Sequence, residues 1–379
     1  MPEAFASRPA PRLIFGPGKL RELPEAVRGL GGTAVFVVSD PGVARAGHLD
    51  AALRLLADAG LPAAAFAESR ENPTESDTAT CRDAAHAHRF DCIVAIGGGS
   101  SLDTAKACNF LLTNGGAMRD YHGYGKASRP LLPLIAIPTT AGTGSETQSY
   151  ALISRDGSHE KMACGDPKAL PAVAILDPDL TSTLPHGAAL LSGVDALTHA
   201  IESAVCTKAN ALSRIHAEGA FRQLATAIDR VVDGRPTDDD RAHMLLGAAL
   251  AGSAIENSML GAAHASANPL TARLGIVHGR AVATMLPHVM RFNATVPAAA
   301  AGYDRLDSRL RGLGVTDLSL QAWIEALVQR CHFPALDPAA DFALLAEDAT
   351  RQWTGKFNPR PLQREDFISL YRRAASVET

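Results

Sequence analysis

DCIVAIGGGSSLDTAKA, residues 91–107, is the stretch of this chain that indicates its fold. An apolar segment of strand length runs directly into Gly97, Gly98 and Gly99, and the residues that follow open a helix. Three glycines let backbone amides approach a ligand closely, and the N-terminus of the helix presents unpaired N–H groups and positive dipole to a phosphate. The stretch therefore predicts the pyrophosphate site of a bound dinucleotide.

The same stretch also has a purely structural interpretation, without a bound ligand. The glycines can form only a tight strand-to-helix turn, with Ser100 as the N-cap and Asp103 as the acidic half of a capping box. Capping alone does not need a glycine triplet, and both interpretations can hold together.

The two halves of the chain have different sequence patterns. Apolar runs at residues 34–39, 63–67, 134–137 and 172–176 alternate with helical patterns, which predicts a parallel sheet covered by helices. Residues 147–164 instead read as a β-hairpin with its turn at residues 155–158. After Asp177 the chain is rich in Ala and Leu at helical spacing. We expect an α/β dinucleotide-binding domain over residues 1–184 and a nearly all-helical, metal-binding domain over residues 185–379.

Two further strand ends extend the predicted dinucleotide site. The strand LIAI leads into PTTAGTGSE, a loop of small and hydroxyl residues that includes Thr139, Thr140 and Thr143. Ligands of open parallel sheets bind at the carboxyl ends of the strands. Asp40 follows the strand VFVVS, where a carboxylate accepts hydrogen bonds from ribose hydroxyls and repels a 2′-phosphate, which favours NAD over NADP. Alternatively, Asp40 is only a turn residue before Pro41 and Gly42.

Four side chains in the second half have the chemistry of metal ligands. Asp195 and His199 are four residues apart on one helix face, and His264 and His278 follow at a short separation. Such a set can close on one divalent cation. Each residue alone is weak evidence, because the chain has 13 His and a lone helical histidine is usually a surface or core residue.

Composition narrows the class of partner. The chain has 379 residues, 46% of them hydrophobic, with a net charge of −4 and no basic block, so nothing indicates binding to nucleic acid or to an anionic membrane. We find no signal-peptide pattern and no apolar run of roughly eighteen residues, and we expect a cytoplasmic protein that acts on a small molecule. The six cysteines are scattered and are expected to be buried free thiols.

The motifs GGGSSLDTAKA, PTTAGTGSE, GVDALTHAIE and HGRAVATMLPHVMRFN, in this order, resemble the iron-containing (group III) alcohol dehydrogenase family over nearly the whole chain. The resemblance implies a Rossmann-like N-terminal domain, a helical C-terminal domain, bound NAD(P) and a divalent metal, with iron expected and zinc a competitor. It also implies a homodimer. By resemblance, the metal ligands are Asp195, His199, His264 and His278. The positions that match cofactor contacts are Asp40, Gly98, Gly99, Ser100, Thr139, Thr140, Thr143 and Lys161, and Asp103 matches a motif acid near the cofactor.

One position departs from the family pattern. Many members have a histidine four residues after the third ligand, where this chain has Asn268. An amide can hydrogen-bond a substrate but cannot exchange a proton near neutral pH. We therefore expect Asn268 to orient the substrate, while protons leave through water or the cofactor ribose. The structural alternative is a helix-breaking step at Asn268-Pro269.

These observations together predict a metal-dependent NAD(H) oxidoreductase that interconverts a primary alcohol, or a hydroxy acid, with its carbonyl partner. The second candidate enzyme class is a glycerol dehydrogenase or a dehydroquinate synthase-like enzyme, since both also pair NAD with a metal. A catalytically silent NAD-binding or metal-sensing protein is the alternative from another class. Intact ligands and two intact loops argue against it.

Overall fold

The computed structural model describes residues 4–157 and 161–376, and the chain divides into two compact units. Of the described residues, one unit holds 8–157 and 161–184, and the other holds 185–376 together with 4–7. The division thus falls between Leu184 and Pro185, where the alternating strand pattern of the sequence has ended.

The first unit carries the strands. They are β1 (Arg12–Phe15), β2 (Val35–Val38), β3 (Ala63–Phe66), β4 (Cys92–Gly97), β5 (Gly123–Tyr124), β6 (Leu134–Pro138), β7 (Tyr150–Ser154), β8 (Lys161–Gly165) and β9 (Val173–Leu176). Six of them form a parallel sheet in the order β1-β9-β6-β4-β2-β3. The predicted parallel sheet is confirmed, and β1 is an edge strand that the sequence analysis missed.

Helices cover both faces of this sheet. They are α1 (Leu23–Gly29), α2 (Pro41–Arg45), α3 (His48–Asp58), α4 (Glu75–His86) and α5 (Gly99–Asn114). Alternate residues of β2 show why: Val35 and Val37 pack into one core with residues of α1 and α3, whereas Phe36 and Val38 pack into another with residues of α4 and α5. A strand buried on both faces needs continuous apolar sequence, which VFVV provides.

The predicted hairpin is also present. β7 and β8 pair antiparallel, from Tyr150 opposite Gly165 to Ser154 opposite Lys161, and β5 joins β8 in parallel to make a separate three-stranded sheet. Of the predicted turn, Ser158 lies outside the described residues.

The second unit is helical, as predicted, with no strand among residues 185–376. Its helices are α6 (His186–Val205), α7 (Ala211–Val232), α8 (Asp238–Glu256), α9 (Ala262–Leu274), α10 (His278–Asn293), α11 (Pro297–Leu313), α12 (Leu320–Arg330), α13 (Phe342–Arg351) and α14 (Arg364–Ala375). Across the described ranges of both units, none of the helices is long and apolar enough to cross a bilayer. All six cysteines are buried and unbridged, as expected.

Candidate metal centre and cofactor loops

Three helices of the second unit carry the four candidate ligands. Asp195 and His199 lie one turn apart in α6, His264 lies in the first turn of α9, and His278 is the first residue of α10. α10 packs against both α6 and α9. Gly279 marks a close approach of α10 to α6, because a Cβ there would lie 2.3 Å from the carbonyl oxygen of Leu191 in α6. The backbone of α10 therefore abuts α6 beside His278.

The four side chains converge on one carboxylate oxygen. Asp195 Oδ1 is 3.3 Å from His264 Nε2, 3.5 Å from His199 Nε2 and 3.9 Å from His278 Nε2. The rings of His199 and His264 stack with centroids 4.7 Å apart. Ligand atoms of Asp195, His199 and His264 all lie within 4.8 Å of one another, whereas His278 stands at the margin with 28% of its side chain exposed.

The electrostatics of this group suit a cation. Burial by itself would raise the pKa of Asp195, but the charges that His199, His264 and His278 can carry hold that pKa well below its ordinary value. Burial would likewise lower the pKa of His264, yet Asp195 and Glu202 raise it to about 9. Asp195 Oδ1 and His264 Nε2 are buried and make no hydrogen bond within the described chain. A divalent ion between them would satisfy both atoms, so the residues fit a metal.

Glu202 contacts the candidate ligand His264, and the sequence-based prediction did not include it. Its Oε2 lies 2.7 Å from His264 Nδ1, and its Oε1 accepts from the Ala263 amide at 2.7 Å. Glu202 follows Asp195 by seven residues and His199 by three in one helix. That spacing puts it on the ligand face of α6, and it was the signal available in the sequence.

Asn268 lies in the middle of α9, one turn after His264. The helix continues through Pro269 to Leu274, so the helix-breaking interpretation is wrong. Asn268 Nδ2 donates to Gln352 Oε1 at 2.9 Å. This partner is 84 residues away in sequence, so no local pattern could have indicated it.

The two predicted cofactor loops lie together in the first unit. β4 and β6 are neighbours, with Gly97 opposite Pro138, and the Thr139 amide donates to the Gly97 carbonyl at 3.0 Å. A Cβ on Gly98 would lie 3.3 Å from Thr140 Cγ2. On Gly99 it would lie 2.6 Å from Thr143 Cγ2, so a side chain there would force the loops apart.

The capping interpretation of Ser100 and Asp103 is wrong. α5 begins at Gly99 with Gly98 as its N-cap, and no side chain caps it. The Asp103 carboxylate instead accepts from Ser145 Oγ at 2.7 Å and from the Leu152 amide at 3.1 Å. Burial raises the pKa of Asp103 despite these donors. Asp103 therefore ties α5 to the end of the second loop and to the hairpin.

Asp40 opens a helix instead of forming a simple turn. Its Oδ1 caps α2 by accepting from the amides of Gly42 and Val43, and its Oδ2 accepts from Ser101 Oγ at 2.8 Å. The carboxylate thus lies against the glycine loop. Lys161, the other cofactor position from the resemblance, is half-buried at the start of β8.

Two buried charged groups behind the second loop escaped the sequence analysis. The Lys106 ammonium donates to Ser145 O and Oγ, both at 2.7 Å, and to Tyr150 O at 2.9 Å. Glu146 is 2% exposed, and burial raises its pKa to about 7. Neither residue breaks a helical or strand pattern, so the sequence gives no signal of their burial.

Comparison with known proteins covers both units. Residues 10–178 match the family model described as iron-containing alcohol dehydrogenase, and residues 189–375 match its C-terminal counterpart. The chain is 33% identical to alcohol dehydrogenase 4 of Schizosaccharomyces pombe, over 95% of this chain and 87% of that protein. It is 29% identical to the NAD-dependent methanol dehydrogenase of Bacillus methanolicus, over 96% and 98%. A solved 1,3-propanediol oxidoreductase superposes with a TM-score of 0.91 at 29% identity, over 98% of this chain and 100% of that one.

Proposed function

The chain belongs to the iron-containing alcohol dehydrogenase family and is an NAD-dependent oxidoreductase of alcohols and aldehydes, and we propose that Asp195, His199, His264 and His278 hold its divalent metal. The observation that carries the proposal is the buried Asp195 Oδ1, which has three imidazole Nε2 atoms within 3.9 Å. When bound, a divalent cation supplies Lewis acidity to the substrate oxygen. One carboxylate and three neutral imidazoles leave net positive charge on such an ion.

Iron is the ion we propose. Imidazole and carboxylate donors also suit zinc, so the ligand set by itself does not select between the two metals. Anaerobic purification followed by elemental analysis decides the question. One equivalent of iron supports the proposal, and one equivalent of zinc with full activity contradicts the choice of iron.

We propose that the unit Arg8–Leu184 binds NAD(H), which supplies or accepts the hydride. The residues proposed for the cofactor site are Asp40, Gly97, Gly98, Gly99, Ser100, Asp103, Thr139, Thr140, Thr143 and Lys161. Support comes from the packing of the two loops and from the bond between Asp40 and Ser101. Asp103 acts in this set by holding Ser145. Asp40 favours NAD over NADP because it adds negative charge beside the glycine loop, and a comparison of the two cofactors tests this preference.

Asn268 is proposed to orient the substrate. Gln352 holds its amide nitrogen, which leaves the Asn268 carbonyl as an acceptor for a substrate hydroxyl. Asn268→Ala should therefore raise KM or lower kcat with the true substrate. If both constants stay at the wild-type values, Asn268 has no such role.

The proposed substrate is a primary alcohol with its aldehyde, or a hydroxy acid with its carbonyl partner. The decisive experiment is a panel of alcohols and aldehydes read at the NADH absorbance with the anaerobic enzyme. Small primary alcohols come first, because two similar proteins are named for methanol and 1,3-propanediol. A metal-loaded protein that reduces no cofactor across the panel would contradict the proposal.

We further propose that the protein is a cytoplasmic homodimer. The edge strand β1 supports association, because Leu13 and Phe15 are 40% and 39% exposed on it. Sedimentation at micromolar concentration tests the stoichiometry. A monomer under these conditions would contradict the dimer.

A further inference from the structure

The N-terminus of α9 is capped by side chains distant in sequence. Its N-cap residue is Gly261, which has no side chain to offer. The Ala262 amide instead donates to Asn358 Oδ1 at 3.1 Å, and the Ala263 amide donates to Glu202 Oε1 at 2.7 Å. The first amides of a helix have no partner within the helix, and a negative charge at this end is favourable. Glu202 and Asn358 therefore share the capping of α9, each through a different amide, and only Glu202 also reaches the ring of His264.

Glu202 also contacts the ring of His264. Its Oε2 lies 2.7 Å from Nδ1, while His264 Nε2 lies 3.3 Å from Asp195 Oδ1. An ionised carboxylate can only accept, so Nδ1 must carry the hydrogen in this contact. When a cation displaces the second proton of the ring, the nitrogen directed at Asp195 is therefore the one that offers its lone pair.

We infer that Glu202 is a positioning residue for the metal: it keeps the hydrogen of His264 on Nδ1, so that Nε2 is the ligand atom, and it fixes the helical turn that presents this ring. The inference rests on the proposed metal role of His264. A carboxylate behind a ligating imidazole fixes the ring and its tautomer and raises its basicity.

The surroundings of Glu202 are built for this contact. A Cβ on Gly261 would lie 2.9 Å from Glu202 Oε1 and 3.0 Å from Asn358 Oδ1, so glycine lets both acceptors close on the helix end. Asn358 is held in turn by Asn293: Asn358 Nδ2 donates to Asn293 Oδ1 at 2.6 Å, and Asn293 Nδ2 donates to Asn358 Oδ1 at 3.0 Å. A buried carboxylate is costly unless its oxygens are satisfied, and here each oxygen has one donor.

Glu202→Gln separates positioning from simple capping. The glutamine oxygen can still accept from Ala263, but its NH₂ group then faces Nδ1 and donates. His264 must place its hydrogen on Nε2, where it blocks the metal. We expect zinc affinity, measured by chelator competition, to fall roughly 10- to 100-fold.

Asn358→Ala is the matched control. It removes the other remote cap of α9 without touching His264, so the thermal midpoint should fall while zinc affinity stays close to that of the wild type. A purely structural Glu202 would instead leave the zinc affinity of Glu202→Gln at the wild-type value.

The tautomer can be read directly from the ¹H–¹⁵N spectrum of ¹⁵N-histidine protein, with His264 assigned by its loss in His264→Ala. Wild-type protein should show a proton on Nδ1, and Glu202→Gln should not. Absence of that proton in the wild type overturns the inference even if the variant fails to fold. If His264→Ala keeps full zinc affinity, the proposed ligand set is wrong. If it loses zinc while Glu202→Gln binds normally, only the role of Glu202 is wrong.

Discussion

Gly279 determines how closely α10 approaches α6, and Gly279→Ala tests whether that approach builds the metal site. The added Cβ would lie 2.3 Å from the Leu191 oxygen and 2.8 Å from the Leu191 carbonyl carbon. An ordinary carbon–oxygen contact is about 3.4 Å, so the two backbones must separate by about 1 Å. Metal–ligand distances tolerate about 0.2 Å. His278 is the neighbouring residue, so its Nε2 atom should move too far from the metal to coordinate it.

Displacement of His278 should weaken metal binding and destabilise the fold. A four-ligand zinc site worth about 10–16 kcal/mol loses roughly a quarter, about 3 kcal/mol, when one ligand is displaced. That corresponds to roughly 100-fold in affinity. The overpacked helix contact should also lower the free energy of unfolding by about 1–3 kcal/mol.

Chelator competition with zinc gives the affinity, and denaturant unfolding of the metal-free protein gives the stability. Gly312→Ala is the control, because Gly312 also lies in a helix, α11, and its added Cβ would meet no atom within 4 Å. This control should keep wild-type affinity and gain up to about 1 kcal/mol of stability. A folded Gly279→Ala protein with wild-type affinity would refute the reasoning.

Three further predictions address the other parts of the molecule. His278→Ala should lose metal and turnover but keep NADH affinity, measured by elemental analysis and fluorescence titration, with the exposed His86→Ala as control; full metal occupancy would refute the ligand assignment. Gly99→Ala, which drives a Cβ into Thr143, should weaken NADH binding roughly tenfold and leave metal content intact, and unchanged NADH affinity would argue against the loop. Glu146 has a pKa of about 7 when folded against an ordinary value of 4.5, so between these values the folded state holds the extra proton and stability falls as pH rises. Glu146→Gln should therefore stabilise by about 3 kcal/mol at pH 8 and by far less at pH 5 in urea unfolding; an equal gain at both pH values would contradict this origin.

The sequence was a good guide where structure follows from local pattern. The strands Val35–Val38 and Cys92–Gly97 are buried on both faces, so the continuous apolar runs at residues 34–39 and 91–96 marked them to within one or two residues. β1 was missed because it is four residues long, is exposed at three of them, and pairs with β9 far along the chain. Its strand conformation depends on that distant partner.

Side-chain partners were the harder part. Asp103 has the spacing of a capping residue, yet its carboxylate accepts hydrogen bonds from Ser145 and the Leu152 amide instead of capping α5. Asn268 is held by Gln352, which comes close only after α9 and α13 have packed. The metal-ligand residues were easier, because Asp195 and His199 lie one turn apart in one helix. His264 and His278 lie on two other helices, and their assignment as ligands depended on the family resemblance.

The buried cysteines can be used to measure local unfolding of the protein. Cys81, Cys92, Cys108 and Cys164 belong to the unit Arg8–Leu184, and Cys206 and Cys331 to the helical unit. Except for Cys331, which is 9% exposed, these thiols are at most 3% exposed, so a thiol reagent reaches them only in molecules that have opened and its rate of incorporation measures local unfolding. Mass spectrometry of the labelled peptides would then time the opening of each unit separately, without any engineered probe.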